Sequence, residues 1–289
     1  FKKVTPRTRA VFSSPVLGNA YDMDRLVKFC KAKNIHLISD NCDSLGSKYK
    51  GEYLTKHAVA ASCSFYPAHH ITMGEGGAVF MNSSRLKKIA ESFRDWGRDC
   101  YCLPGKDNTC NNRFCWTSQQ IGGSLPDGYD HKYTYSHMGF NLKITDIQAA
   151  CGLSQLDKLD SFIEARKRNF KLLSEMLSEF QEHFVLPEAT KKSEPSWFGF
   201  PITIKKDSSV DREDLIKFLN ANKIGTRLLF AGNITKQPYM KNVKFKIHNN
   251  LNNSDIIMEK TFWIGVYPGL TPEHLNYVYD IFKSYFSKL

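Results

Sequence analysis

The sequence predicts an α/β protein built around a mostly parallel sheet, and three observations support this fold class. Short apolar runs that are typical of buried strands alternate with amphipathic helical patterns along the first part of the chain. A helical period then continues across residues 145–184. Further strand and helix patterns follow it, so we predict that a second, smaller α/β domain completes the chain.

The predicted elements of the sheet follow one another in a simple order. We predict strands over residues 9–13, 35–39, 59–65 and 77–81, and a helix over residues 24–33. The second of these strands ends directly before Asp40. Ser83 or Ser84 can cap a further helix, which Gly97 ends. Strands that alternate with helices in this way imply a mostly parallel sheet.

The remaining elements define the predicted domains. Residues 98–140 form a loop rich in Cys, Asn, Gly and Tyr, and so long a loop is usually functional or mobile. Helix resumes near Thr145 and continues, with a break near Leu159, to Phe184. A strand over residues 198–204, a helix over 211–222 and a last helix beginning at Thr271-Pro272-Glu273 complete the prediction. We assign residues 1–158 to a large domain and 159–289 to a connector helix and a small domain.

Composition limits the classes of function. With 289 residues, 42% of them hydrophobic, the chain can bury a sizeable core. It contains no apolar run of membrane-spanning length, so we expect no membrane insertion and a cytoplasmic location. The net charge of +11 reflects either a generally basic surface or an attraction for a nucleotide sugar and an acidic electron-donor protein. We expect no nucleic-acid partner, because no RNA-binding or helix-turn-helix signature accompanies the charge.

Residues 64–77, SFYPAHHITMGEGG, carry the clearest motif. They resemble the cofactor-lysine segment of the DegT/DnrJ/EryC1/StrS sugar aminotransferases, in which S-F-x-x-x-K precedes a G-E-G-G turn. His69 occupies the lysine position. Imidazole cannot form the Schiff base that transamination needs, but it can move protons near neutral pH. The resemblance therefore implies a fold-type-I pyridoxal phosphate (PLP) scaffold that uses pyridoxamine phosphate (PMP) for a different reaction, with His69 as its acid or base. His70 is the adjacent competitor for this role.

The cysteines sharpen the resemblance. Cys100, Cys102 and Cys110 form a C-x-C-x7-C run, and Cys42 lies 57 intervening residues before it. Together with His69 and with residues 96–100, 129–133 and 225–230, this pattern resembles the iron–sulfur 3-dehydrases of 3,6-dideoxyhexose biosynthesis. The resemblance implies that the four thiolates hold a [2Fe–2S] cluster. A zinc site that uses Cys115 instead of Cys42 is the local alternative. The other three cysteines are predicted to be buried packing residues: Cys30, Cys63 and Cys151.

The resemblance also assigns residues around the cofactor. Asp40 faces the pyridine nitrogen in this assignment, and an ordinary loop or helix-capping acid is the alternative. Cys42 lies two residues after Asp40, so the resemblance places the cluster near the pyridine ring. Asp43 lies beside the ring, where aminotransferases carry His or Gln. Ser64 contacts the phosphate, with an ordinary strand-end hydroxyl as the alternative, and Tyr66 assists proton or radical steps.

Residues 139–143 match a G-Y-N-x-R segment of the family. In that segment the Asn reaches the cofactor phosphate of the partner subunit, so Asn141 implies a homodimer. Lys143 replaces the Arg, which keeps the charge and loses the bidentate fork. Compared with the family, the front of the large domain, with its Gly/Ser-rich phosphate turn, is absent, so we expect the chain to be a fragment.

The implied reaction is removal of the C3 hydroxyl of a CDP-4-keto-6-deoxyhexose in O-antigen or lipopolysaccharide biosynthesis. PMP and His69 support the dehydration. A separate NAD(P)H-dependent iron–sulfur flavin reductase supplies electrons through the cluster. Two alternatives remain open at this point: a cluster-free, PMP-dependent nucleotide-sugar 3-dehydratase, and a sugar-nucleotide-binding relic with zinc in the loop.

Overall fold

The structure is a computed structural model that describes residues 3–102, 105–111, 113–114 and 123–289. The first elements are strand β1 (Ala10–Ser13), helix α1 (Met23–Lys33) and strand β2 (His36–Asp40). Short strands β3 (Lys48–Tyr49) and β4 (Glu52–Tyr53) follow, and then β5 (Ala60–Ser64), β6 (Gly77–Phe80) and helix α2 (Ser84–Arg94). Within the described residues, β1, β2, β5 and β6 form one sheet in that order.

This sheet is mostly parallel, as the sequence predicts. β1 pairs with β2 and β2 with β5 in parallel, and β6 closes the edge antiparallel to β5. Asp40 is opposite Ser62 in the ladder, so the carboxyl ends of β2 and β5 lie side by side. The predicted cap of α2 is confirmed, because the Ser83 side chain accepts a hydrogen bond from the Leu86 N–H.

The second half of the chain builds an antiparallel sheet with helices packed against it. Its strands are β7 (Phe184–Val185), β9 (Gly199–Ile204), β10 (Thr226–Leu228) and β11 (Thr261–Gly265), in the order β10-β11-β9-β7 among the described residues. Strand β8 (Ser193–Glu194) instead pairs with β3 of the first half. The helices are α3 (Asp146–Leu156), α4 (Leu159–Leu177), α5 (Arg212–Ala221), α6 (Asn252–Lys260) and α7 (Pro272–Phe286).

The core of this half lies between the sheet and helices α4, α5 and α7. Phe200, Ile202 and Phe262 are fully buried on the sheet, and Leu173 and Phe282 meet them from the helices. A separate apolar cluster lies under β2 and α1. The division into domains at residue 158 remains a prediction.

Two expectations about local structure are corrected. The predicted helix to Phe184 is wrong, because α4 ends at Leu177 and Phe184 pairs with Ile204 in β9. The apolar spacing continues beyond Leu177, yet sheet pairing satisfies the backbone there and ends the helix. Cys151 is exposed rather than buried, whereas Cys30 and Cys63 are buried as predicted. Strands β10 and β11 and helix α6 were not predicted. The break near Leu159 and the start of α7 at Pro272 are confirmed.

None of the helices in the described part of the chain is both long enough and apolar enough to cross a membrane.

Candidate active site and cysteine cluster

The motif residues gather where β2 and β5 end. Asp40 Oδ1 accepts hydrogen bonds from the Cys42 N–H at 3.1 Å and from Ser62 Oγ at 3.2 Å. Ser64 Oγ accepts one from the Tyr66 N–H at 3.2 Å. The carboxyl edge of parallel strands is where α/β folds usually bind ligands. Adjacent strand ends therefore bring the predicted ring-nitrogen partner and the predicted phosphate contact to one edge.

His69 lies in the turn after β5, where its N–H donates to the Tyr66 carbonyl at 2.9 Å. Its ring packs against Phe198, with 5.2 Å between ring centroids, and its Nδ1 lies 3.8 Å from Asp43 Oδ1. Nδ1 is buried and makes no hydrogen bond to any described residue. Burial lowers the pKa of His69, although the Asp43 charge opposes this. The imidazole is therefore neutral at pH 7 and able to accept a proton.

Asp43 is held between His69 and the backbone of the first segment. Its Oδ2 accepts a hydrogen bond from the Leu17 N–H at 3.3 Å. Burial raises the pKa of Asp43, and the Leu17 N–H and His69 partly offset that effect. This arrangement fixes the carboxylate on the Nδ1 side of His69, which leaves Nε2 as the nitrogen available for proton transfer.

His70 has a different environment and a structural role. It is 2% exposed, and its Nε2 lies 2.8 Å from the Ser196 carbonyl oxygen. Burial, with a smaller effect from the Arg166 charge, lowers the pKa of His70 from 6.5 to about 3. An imidazole committed to a backbone carbonyl and shielded from solvent is a poor proton shuttle, so the geometry favours His69 over His70 as the acid–base group.

This burial predicts an acid-dependent loss of stability at His70. Between pH 6.5 and 3 the unfolded chain binds a proton at His70 that the folded protein does not bind. The free energy of unfolding therefore falls as pH falls, by up to about 1.4 kcal/mol per pH unit from this group. We expect His70→Gln, which keeps a donor for the Ser196 carbonyl, to reduce this slope in urea denaturation measured between pH 7 and 4. The exposed His36→Gln is the control, and equal slopes in both variants would contradict the assignment.

A cavity of about 490 Å³ opens beside His69. Arg166, Arg168 and Tyr267 contribute to its lining, and among the described residues its lining includes no carboxylate. Arg166 is buried and donates to the carbonyls of Trp197 at 3.2 Å and Phe198 at 3.3 Å. Burial lowers its pKa to about 10, so it stays charged at pH 7. A cavity with two guanidinium groups suits an anionic ligand.

The second feature is a cluster of sulfur and nitrogen donors in the loop of residues 98–140. The ligand atoms of Cys100, Cys102 and His131 all lie within 4.8 Å of one another. His131 Nε2 also lies 3.4 Å from Cys110 Sγ. A hydrogen bond from Thr109 is the main cause that lowers the pKa of Cys102 to about 7, whereas burial raises the pKa of Cys100. Cys102 is thus readily deprotonated, as metal ligation requires.

Backbone pairing holds this loop closed. The Trp96 N–H donates to the Phe140 carbonyl at 2.9 Å, and the Asp99 N–H to the Thr134 carbonyl at 3.0 Å. Gly97 has a φ of +83°, and a Cβ built there would lie 1.8 Å from the His137 carbonyl oxygen, so only glycine fits. This stem carries Cys100 and Cys102 to the segment that contains His131, a residue that spacing arguments missed because it lies outside the cysteine run.

Cys42 is the fourth predicted ligand, and Cys115 is the alternative to it. Cys42 follows Asp40 at the strand end and is not in the group whose ligand atoms lie within 4.8 Å of one another in the described chain. Burial and the nearby Asp40 raise the pKa of Cys42 to about 12. A binuclear cluster divides its ligands between two irons, so Cys42 remains a prediction. Cys115 lies outside the described residues. The thiolates of Cys100, Cys102 and Cys110 fit a soft-metal or iron–sulfur centre by donor chemistry.

Asn141 is exposed at the end of the loop stem. Its Oδ1 accepts a hydrogen bond from Lys143 Nζ at 2.6 Å, and Lys143 also pairs with Asp95 at 3.2 Å. Lys143 Nζ lies 3.4 Å from the centroid of the Trp96 ring. Lys143 therefore acts locally to orient Asn141.

The chain is similar to several known proteins along nearly its whole length. The DegT/DnrJ/EryC1/StrS aminotransferase family matches residues 2–283. The chain is 57% identical over 283 residues to the lipopolysaccharide biosynthesis protein RfbH of Salmonella typhimurium, covering 98% of this chain. It is 49% identical over 285 residues to a dTDP-4-dehydro-2,6-dideoxy-D-glucose 3-dehydratase of Saccharopolyspora spinosa, covering 99% of this chain. It spans only 64% and 61% of the lengths of these two relatives.

A solved structure supports the same fold. The Escherichia coli GDP-4-keto-6-deoxy-D-mannose-3-dehydratase with bound hydrated PLP superposes with a TM-score of 0.82 at 25% identity. The match covers 97% of this chain and 68% of that chain. The predicted fold class, a PLP-dependent transferase-like α/β fold with a mostly parallel sheet, is confirmed.

Proposed function

Because the chain belongs to the DegT/DnrJ/EryC1/StrS aminotransferase family, we propose that it carries the site of a PMP-dependent nucleotide-sugar 3-dehydrase. The substrate that we propose is a CDP-4-keto-6-deoxyhexose, in lipopolysaccharide biosynthesis. One observation carries this proposal: the lysine position of the family motif holds His69, a half-buried imidazole that lies between Asp43 and a cavity lined by Arg166 and Arg168. Two relatives named as 3-dehydratases and one named for lipopolysaccharide biosynthesis support the reaction class and the pathway.

The residues at the strand ends suit a vitamin B6 cofactor. We assign Asp40 to the pyridine nitrogen, Ser64 to the phosphate and Asn141 to the phosphate of the partner's cofactor. Asp40 and Ser64 lie at neighbouring strand ends, where one ligand can contact both side chains. When bound, PMP would supply an amine for the sugar ketone and an electron sink for loss of the C3 hydroxyl group.

The chain's own residues would then transfer protons and orient the His69 ring. His69 accepts the proton that leaves C4′ of the cofactor, through Nε2, because Nδ1 faces Asp43. Asp43 orients the ring and stabilises its protonated form. Tyr66, beside His69 with 6.4 Å between ring centroids, is the second group that can move a proton in this space. Phe198 packs against the His69 ring and Ile71 lines the cavity, so apolar surface borders the imidazole.

We assign the [2Fe–2S] cluster to Cys42, Cys100, Cys102 and Cys110. When bound, it would pass single electrons from a separate NAD(P)H-dependent iron–sulfur flavin reductase to the site. A second cavity of about 420 Å³ borders Cys100 and Cys102 and is open to solvent. Its lining is mixed in charge: Lys88 and Arg94 contribute to it, whereas Lys132 is paired with Asp107 at 2.6 Å.

The test of this function is the cofactor content of the purified protein together with its chemistry. We expect iron, sulfide and vitamin B6 after anaerobic purification, and solvent exchange of the C4′ proton that depends on substrate. Zinc in place of iron with no exchange would contradict the proposal and favour a sugar-nucleotide-binding protein. Exchange without iron would favour the cluster-free dehydratase, which the GDP-4-keto-6-deoxy-D-mannose 3-dehydratases among the relatives make the second candidate.

Binding of the diphosphate should depend on Arg168. This side chain is exposed, lines the cavity beside His69 and lies on α4 near the buried Arg166. Hydrogen bonds between charged groups contribute about 1.5–3 kcal/mol. We expect Arg168→Gln to weaken CDP-sugar binding by about tenfold or more in calorimetry, and less so at high salt.

The matched control is Lys171→Gln on the same helix. Lys171 is an exposed cation paired with Glu175 at 3.8 Å, and it does not line the cavity. Equal affinities for the two variants would contradict the assignment of the diphosphate to this cavity.

A second copy of the chain should cover the apolar surface beside Asn141. Helix α3 has every residue at least partly exposed, with Ile147 80% exposed and Leu153 66% exposed, and Met138 nearby in sequence is 92% exposed. Exposed apolar surface of this extent is typical of an interface. Asn141 lies between Met138 and helix α3 in the sequence and, in the proposed function, reaches a partner's cofactor.

We therefore expect a two-fold dimer in light scattering. Ile147→Glu should shift the mass towards the monomer, because it would bury a charge in the interface. Ile247→Glu, also at an exposed isoleucine but outside this surface, should leave the mass unchanged. A monomer for the unmodified protein, or equal behaviour of the two variants, would argue against this dimer.

A further inference from the structure

His131 is a buried histidine that the proposed reaction does not use. It is 1% exposed, although it lies in the polar loop of residues 98–140. Its Nε2 lies 3.4 Å from Cys110 Sγ, and its ligand atom is within 4.8 Å of those of Cys100 and Cys102. The imidazole therefore faces three of the thiolates assigned to the cluster.

The structure holds this ring in place through its backbone. The His131 N–H donates to the Arg113 carbonyl at 3.0 Å, and the Thr134 N–H donates to the His131 carbonyl at 3.2 Å. Asp130 caps the 3₁₀ turn that begins at His131, and Arg113 forms an ion pair with Asp130 at 2.8 Å. This support fixes the position of the imidazole relative to the sulfur atoms.

We propose that His131 is a positioning residue that donates its Nε2–H to the Cys110 thiolate and so sets the reduction potential of the cluster. This inference rests on the proposed function. A hydrogen bond to a ligating sulfur withdraws charge from the centre and stabilises its more negative, reduced form, so it raises the potential. The buried position strengthens the effect, because little solvent screens the bond.

The experiment compares variants of the anaerobically reconstituted protein. Iron and sulfide contents are measured first, and the midpoint potential is then obtained by dye-mediated titration followed by electron paramagnetic resonance (EPR). We expect His131→Phe to retain the cluster and to lower the one-electron reduction equilibrium constant about tenfold, which is about 59 mV. His131→Gln, which keeps an N–H donor, should recover most of this difference.

His137→Gln is the control within the same loop. His137 Nε2 contacts Ser92 Oγ at 3.1 Å, a bond that Gln can preserve, and we expect no change in potential. An unchanged potential in His131→Phe would overturn the inference. Loss of iron from both His131 variants, with folding retained by circular dichroism, would also overturn it, because His131 would then be a ligand.

A measurement on the unmodified protein separates these cases without any substitution. Pulsed EPR of the reduced protein with ¹⁵N-labelled histidine should give the weak nitrogen coupling of a hydrogen-bonded imidazole. The strong coupling of a directly bound nitrogen, or no coupling, would overturn the inference. A protein that assembles no iron–sulfur cluster would refute the proposed function itself, which is a distinguishable result.

Discussion

Replacing His69 with Asn is expected to slow the dehydration step by about 10²–10⁴-fold, the range typical for loss of a positioned general base. An amide has no useful basicity near neutral pH, so the proton at C4′ would lack an acceptor. Binding of PMP should persist, because the contacts assigned to Asp40 and Ser64 do not involve His69. The measurements are C4′ proton exchange and single-turnover dehydration, with cofactor content determined on the same sample.

Two companion variants test the assignment. His69→Lys restores the amine of the family motif, so PLP should form an internal imine with a visible absorbance that borohydride removes. His70→Asn tests the register, because His70 lies next to His69 but bonds to the Ser196 carbonyl. If His69→Asn dehydrates substrate at the unmodified rate while His70→Asn does not, His70 is the base and the motif alignment is wrong.

Replacing Cys102 with Ser is expected to reduce iron and sulfide to background levels. Cys102 lies centrally in the cysteine cluster and has a pKa lowered to about 7, so its thiolate is the one most readily offered to a metal. A serine hydroxyl is a hard and weakly acidic ligand that suits iron–sulfur chemistry poorly. The measurements are metal analysis and the visible spectrum after anaerobic reconstitution.

Cys151→Ser is the matched control, because Cys151 is exposed on helix α3 and is not in the described group of metal-ligating side chains. Cys42→Ser and Cys115→Ser then distinguish the two possible ligand sets, which share Cys100, Cys102 and Cys110 and differ in the fourth cysteine. Loss of iron on changing Cys42, with iron retained on changing Cys115, supports the four-cysteine assignment that includes the strand end. The reverse result would place the whole metal site within the loop.

The sequence by itself determined the features that depend on local pattern. Alternating strand and helix periods predicted the parallel sheet, because burial of one face imposes a fixed spacing on apolar residues. The positions of Asp40 and Ser64 followed from the ends of those strands, since parallel strands share one carboxyl edge. The motif around His69 and the cysteine spacing can also be read directly from the sequence. They indicated the family that the comparisons confirm.

The tertiary structure decided what depends on contacts between distant segments. Cysteine spacing could not reveal that His131 joins Cys100, Cys102 and Cys110, because backbone pairing across the loop stem brings that segment back. The sequence also could not show that the two adjacent histidines have different environments. His69 lies beside Asp43, whereas His70 contacts the Ser196 carbonyl. The end of α4 at Leu177 and the exposure of Cys151 have the same origin. Sheet pairing and burial depend on which distant segment packs against a residue, and a local apolar pattern does not identify that segment.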